Sequence, residues 1–256
     1  MSSRWAQIDW QTPAFLPWAP LGQSVARRVL DGADLCLALN QQAEAAGLIA
    51  PHLVAPDAVP KGMAYEAFID ESLAVPTRSN LHDFFNALCW LRYPLAKRAM
   101  NRMHVQESRQ MPALGGGRGA VRDAMTVFDE SGAMLQAPEA LWQALVARQW
   151  ERAFVALRPL WREATFDVFG HAVLEKLTAP FKAITAHVVY LGEAGVAGIH
   201  QWDAALTARM NAAWWASKPM TPVPVLGLPG WCPENEGAAY YRDENVFRPV
   251  NWRRKA

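Results

Sequence analysis

The segment at 78–94, RSNLHDFFNALCWLRYP, sets a histidine, two carboxamides, an aspartate and two arginines inside the most apolar reach of the chain. Asn80 fits a helix N-cap. Asp83, three residues on, fits the place where a carboxylate answers free backbone N–H groups and the positive helix end. Neither residue needs a catalytic role to explain it. His82 and Asn86 are different: four residues apart, they share one face of a helix whose other sides carry Phe84, Phe85, Leu88 and Leu91. Polar groups on so apolar a helix require partners.

The following helical pattern offers some. Lys97, Asn101, His104 and Ser108 recur at spacings of four, three and four, a polar stripe on one face. If the chain reverses at Tyr93 and Pro94, His82 comes level with His104, and Asn86 faces Asn101 or Lys97. A steep corner there would separate them. Further on, GHAVLEKL places His171 and Glu175 four apart, a spacing that serves either one metal or an ordinary surface pair. One such pair, with no second histidine at matching distance, assigns no metal site. Arg122, Asp123, Asp129 and Glu130 surround a stretch read as a hairpin, and Arg78 precedes a helix start where a phosphate or carboxylate could be held. Cys232 has no adjacent base, and the glycine loop at 112–119 lacks the Gly-Lys-Ser/Thr ending of a phosphate-binding loop.

These residues define two readings. In the first, a soluble enzyme or small-ligand binder uses a pocket of Arg78, His82, Asp83, Asn86, Lys97 and Asn101, with Arg122, Asp123 or His171 across the cleft and His104 as a further ligand contact. Hydrolysis of a small anionic substrate suits that set: His82 as general base, Asp83 orienting it, Lys97 and Arg78 stabilising negative charge. No cofactor is specified. In the second, the polar groups form a closed structural network in a non-catalytic interaction protein.

Composition limits the alternatives. Apolar residues make up 52% and charged residues 19% of the 256, which excludes a disordered chain, and no apolar run reaches the roughly 18 residues of a membrane span. Lys plus Arg (25) nearly cancels Asp plus Glu (24), so the charge expected of a nucleic-acid binder is missing. Three scattered cysteines indicate neither a disulfide framework nor a paired-cysteine zinc site, and the N-terminus has no secretory pattern. A cytoplasmic protein is expected.

The elements that must position these residues follow from periodicity. One domain over 1–256 is expected, α+β in class and mostly helical, with a few short strands or hairpins. Pro- and Trp-rich arms at 1–21 and 219–256 are expected to pack on it in extended form. Helices are predicted within 21–47, over 81–92, from Pro94 on, from Pro138 towards Pro159, after His171 and over 199–214. Strands are predicted within MAYEAFIDESLAVPTR, ending at Pro76, and in ITAHVVYLG, and AMTVFDESGAMLQ reads as a hairpin turning at Ser131 and Gly132.

VPTRSNLHDFFNALCWLRYPLAKRAMN, RDAMTVFDESG, FGHAVLEKL and the closing LGLPGWCPENEGAAYYRDENVFRP together resemble the bacterial family known as domain of unknown function 3025. The resemblance runs from about Tyr65 to Pro249, with separated motifs in the right order. It implies an intracellular bacterial protein and carries over no activity, cofactor or catalytic residue.

Overall fold

The computed structural model describes residues 4–110, 119–193 and 199–250; the glycine-rich run at 112–118 and the basic tail at 251–256 lie outside them. Helices dominate, with two small sheets, as the composition and periodicity predicted. Buried apolar side chains from Ile8 to Phe247 form one continuous core.

Helix α1 (Ala19–Leu30) is followed by α2 (Leu35–Ala45), whose Asp34 cap accepts a hydrogen bond from Leu37 N at 2.9 Å. Strands β1 (His52–Val54) and β2 (Ala74–Pro76) pair in parallel and flank helix α3 (Tyr65–Ser72). α3 replaces the expected strand over Tyr65–Ser72, while β2 ends at Pro76, where a strand end was expected. The alternation of Tyr65, Ala67 and Ile69 is also compatible with a helix that buries Ile69 against its neighbours, and Leu73 ends it in the left-handed region at φ 55°.

Helix α4 (Leu81–Arg92) starts as read: Asn80 Oδ1 accepts from Asp83 N at 2.8 Å. Helix α5 (Pro94–Gln110) follows after Tyr93 alone. Its first turn is capped from far away, with Leu95 N and Ala96 N each donating to the buried Asp203 carboxylate at 2.8 Å.

The expected hairpin is instead helix α6 (Ala120–Ser131) running directly into strand β3 (Gly132–Gln136). Ala124, Met125 and Phe128 make a buried helical stripe, and this tertiary burial overrides the local turn signal of Glu-Ser-Gly. After α7 (Glu139–Val146) the predicted long helix breaks at Ala147 and Arg148 (φ 50°), then continues as a π turn at Arg152–Ala156. β4 (Thr165–Val168) leads into α8 (His171–Leu177), and β5 (Thr185–Gly192) stands where ITAHVVYLG predicted a strand. Helices α9 (Ile199–Arg209) and α10 (Ala212–Ala216) precede β6 (Thr221–Pro224).

The larger sheet has the order β4-β3-β5-β6, with only the β3–β5 pair parallel. The C-terminal arm begins in extended form as β6, where Pro222 and Pro224 are tolerated because β6 is an edge strand, but then folds into 3-10 turns at Pro233–Glu236 and Ala238–Arg242. The N-terminal arm is likewise turns and a 3-10 turn at Arg4–Gln7 rather than extended chain, although Trp10, Phe15 and Trp18 are buried in the core.

Candidate functional site

Three helix ends meet on one cleft. His82 stands at the second position of α4, His171 opens α8, and Glu130 is in the last turn of α6. α8 packs on both other helices. Its start is fixed by close backbone approach: a Cβ on Gly170 would lie 2.5 Å from Gly132 N and from Ser131 Cα. Only glycine lets the residue before His171 touch the α6–β3 junction, and this places His171 beside Glu130.

His82 Nε2 and His171 Nε2 are 3.1 Å apart, with the rings near perpendicular at 80°. Glu130 Oε2 lies 3.7 Å from His171 Nε2. Behind the rings are two more carboxylates. His82 Nδ1 is 3.1 Å from Glu175 Oε2, and His171 Nδ1 is 3.9 Å from Asp129 Oδ2. His171 is buried while His82 is half-buried, and Glu130 is the most exposed of the three. Burial is the main cause that pushes the His171 imidazole down to about 4, helped by the charges of Lys97 and His82 and opposed by Asp129. Its ring is therefore neutral at pH 7.

Asp129 is fixed in turn by Lys97. The buried ammonium donates to Asp129 Oδ1 at 2.5 Å and to Asn86 Oδ1 at 2.8 Å, and lies 5.3 Å from the centre of the Trp90 ring. Burial raises the Asp129 carboxyl, but the Lys97 and His171 charges outweigh it and hold the group below its usual range. Asn86 Nδ2 donates to Tyr65 Oη at 3.3 Å, and burial pushes that phenol far above its ordinary value. Asn86 thus faces Lys97, one of the two partners its helical register suggested.

A cleft of about 490 Å³ is lined by Tyr65, Arg78, His82, Asp83, Asn86, Asp129, Glu130 and His171. An adjoining recess of about 190 Å³ shares Tyr65, Asn86, Asp129 and Glu130 and adds Lys97, Asn101 and His104. Asn101 is buried and donates to Glu66 O at 2.9 Å, tying α5 to α3. His104 lines the recess and does not line the His82 cleft. Arg122 and Asp123 sit in the first turn of α6, two turns before Asp129 and Glu130, and line neither space. Asp83 does not touch His82. Arg78 clamps it instead through N, Nε and Nη2 at 2.7, 2.9 and 2.9 Å, leaving the outer guanidinium N–H groups at the cleft rim. Asp129, Glu130 and Glu175 complete the arrangement, and no spacing rule links them to His82 across 47, 48 and 93 positions. Glu175 in particular reaches His82 rather than His171, its helical neighbour.

A family model described as "Protein of unknown function (DUF3025)" matches residues 52–251. The chain belongs to that family. No curated protein and no solved structure matches it. The segment matched to DUF3025 holds all the residues of the cleft, and Arg4 from outside it reaches Glu175 Oε1 at 3.2 Å. No helix among the described residues is long and apolar enough to cross a membrane.

Proposed function

We propose that this DUF3025 protein is an enzyme that hydrolyses a small anionic molecule in the His82–His171 cleft. The observation that carries the reading is the convergence of two imidazoles and a carboxylate, from three separate helices, on a solvent-connected cavity with a guanidinium at its rim. Buried structural networks close on themselves. Here Lys97, Asp129, Asn86 and Tyr65 bond to one another along one wall of the cleft, while His82, His171 and Glu130 bring three potential ligand atoms together on the same cleft.

In this reading the His82–His171–Glu130 cluster activates a water, Glu175 holds the His82 ring in position, and the outer N–H groups of Arg78 draw the substrate's negative charge to the cleft. Lys97 acts as a positioning residue because its charge is spent on Asp129. A cavity of this volume suits a metabolite-sized substrate. The near-zero net charge and the free thiols at Cys36, Cys89 and Cys232 support a cytoplasmic enzyme that does not act on nucleic acid.

The test is a hydrolysis panel of chromogenic phosphate and carboxylate esters with the full chain and His82→Ala. Loss of a positioned acid–base group lowers turnover by about 10²–10⁴-fold, so a folded His82→Ala protein should fall by at least that lower figure. Full activity in the variant, or no turnover of any panel member by the folded wild type, overturns the reading.

A further inference from the structure

The contact between the two histidines contains a valence problem that a cation solves. Each ring turns its Nδ1 toward a carboxylate, Glu175 Oε2 at 3.1 Å for His82 and Asp129 Oδ2 at 3.9 Å for His171. A ring nitrogen facing a carboxylate is favoured as N–H. Protons on both Nδ1 atoms leave both Nε2 atoms bare, and these lone pairs then oppose each other at 3.1 Å. Moving one proton to an Nε2 makes an N–H···N bond there but turns a bare Nδ1 onto a carboxylate. No arrangement of two neutral rings satisfies all four nitrogens. One positive charge between the Nε2 atoms removes their opposition and keeps a proton on each Nδ1, that of His82 bonded to Glu175 and that of His171 facing Asp129 without a hydrogen bond.

A second proton is one such charge, but it needs no third ligand. The structure supplies a third: Glu130 Oε2 is 3.7 Å from His171 Nε2, and ligand atoms of His82, Glu130 and His171 all lie within 4.8 Å of one another. We infer that His82 Nε2, His171 Nε2 and a Glu130 carboxylate oxygen bind a divalent transition-metal ion, with zinc the best fit, leaving one coordination position open to the cleft. Tetrahedral bonds of about 2.0–2.2 Å separate neighbouring ligand atoms by roughly 3.3–3.5 Å. The observed 3.1 and 3.7 Å straddle that figure. The Glu130 side chain is 45% exposed and has room to close the remaining gap. Two imidazoles and one carboxylate form the donor set of three-ligand catalytic zinc sites, and the Glu175 carboxylate bonded to His82 Nδ1 is the outer-shell partner such a ligand takes, with Asp129 facing His171 Nδ1 at a longer 3.9 Å.

The ion deepens the hydrolytic reading. Its catalytic use rests on that reading; its binding does not. A water in the open position would lose a proton near neutral pH. Its oxygen would bond to the acyl or phosphoryl centre, the bond to the leaving oxygen would break with its electron pair, and the proton would pass to that oxygen. Water is the only co-reactant.

The experiment is calorimetric titration of ZnCl₂ into the chelator-treated full chain, with CoCl₂ titrated in parallel for its visible spectrum. One zinc per chain and a tetrahedral cobalt spectrum are expected. Glu130→Gln should weaken zinc at least 10-fold, and Glu175→Gln, which removes only a ring support, by about 10–100-fold. His171→Gln should abolish binding. Should that buried variant fail to fold, the half-exposed Glu130→Gln decides alone. Absence of stoichiometric zinc binding, or equal affinity in Glu130→Gln, overturns the inference. Ester hydrolysis that survives complete chelation overturns the ion's catalytic use, while leaving the hydrolase standing. One zinc bound without turnover of any ester does the reverse.

Discussion

Lys97 and His171 are the two buried titratable groups on which the site's geometry depends, and each makes a stability prediction of definite sign. The Lys97 side chain is 5% exposed and is paired with Asp129. Removing one partner of a buried pair leaves the other uncompensated, at a cost of about 3–5 kcal/mol. Lys97→Met should approach the lower end in denaturant unfolding because Asp129 retains some contact with water. The Asp129 carboxyl is held below its unfolded range, so the pair's contribution is present above that range and is lost as pH falls through the folded value. Lys97→Met should therefore cost most at neutral pH and little in strong acid. His171 works in the opposite chemical sense with the same outcome. Its folded value of about 4 lies below the 6.5 of an unconstrained ring, so between those limits the unfolded chain binds the extra proton and stability falls as pH falls. With chelator present, wild-type stability should decline from pH 6.5 to 4 with a slope approaching one proton, and His171→Asn should flatten that limb. Unchanged slopes would remove His171 as the buried neutral group.

Among the elements, the junction of α6, β3 and α8 decides whether there is a site at all. A Cβ at Gly170 would meet backbone atoms at 2.5 Å, and backbone cannot swing aside as a side chain can. Gly170→Ala should cost about 1–3 kcal/mol by overpacking. It should also shift His171 away from Glu130, so that zinc affinity falls by more than the loss of stability explains; an unaffected affinity would show that the junction does not position the ligand. This junction is where sequence reading stops. The Asn80 cap, the apolar faces of α4 and the strand β5 were legible because caps and periodicity are local. α3 and α6 were not, since an eight-residue alternation or a Glu-Ser-Gly triplet satisfies strand and helix alike until a neighbour buries one face. His82 and His171 each stood out as polar residues in apolar surroundings. That they meet, and that Glu175 and Glu130 serve them, depends on packing between residues 41 to 93 positions apart, which no spacing encodes. Lys97 with Asn86 was legible because both lie within one turn-and-return of the chain.

At the scale of the whole molecule, the family match begins at residue 52, yet the core does not. Trp10, Phe15, Trp18, Val25, Leu35 and Leu39 are buried in the same cluster as Leu53, Phe84, Phe85 and Tyr93. Phe15 stacks on Phe85 with ring centres 5.8 Å apart, and Arg92 lies 5.0 Å over Trp18 while donating to Pro17 O and to Asp167. Burying six large apolar side chains at about 1.5–3 kcal/mol each stabilises by on the order of 10 kcal/mol. That is comparable to the whole net stability of a typical domain, about 5–15 kcal/mol. The segment at 52–251 should therefore not fold alone. Expressed by itself it should lack a cooperative melt and a near-ultraviolet circular dichroism signal, and should bind hydrophobic dye; a sharp melt would show that residues 4–51 are an accessory layer. The same segment bears on the chemistry. Arg4 pairs with Glu175, the carboxylate behind His82, and Trp5 packs on Phe84 two residues further along α4, with ring centres 4.8 Å apart. If the chain without residues 1–7 still folds, as the exposure of Arg4 and the partial burial of Trp5 allow, its zinc affinity should drop by less than that of Glu175→Gln. The terminal segment braces the support rather than the ligand, so an equal or larger drop would mean that Arg4 and Trp5 hold His82 itself in place.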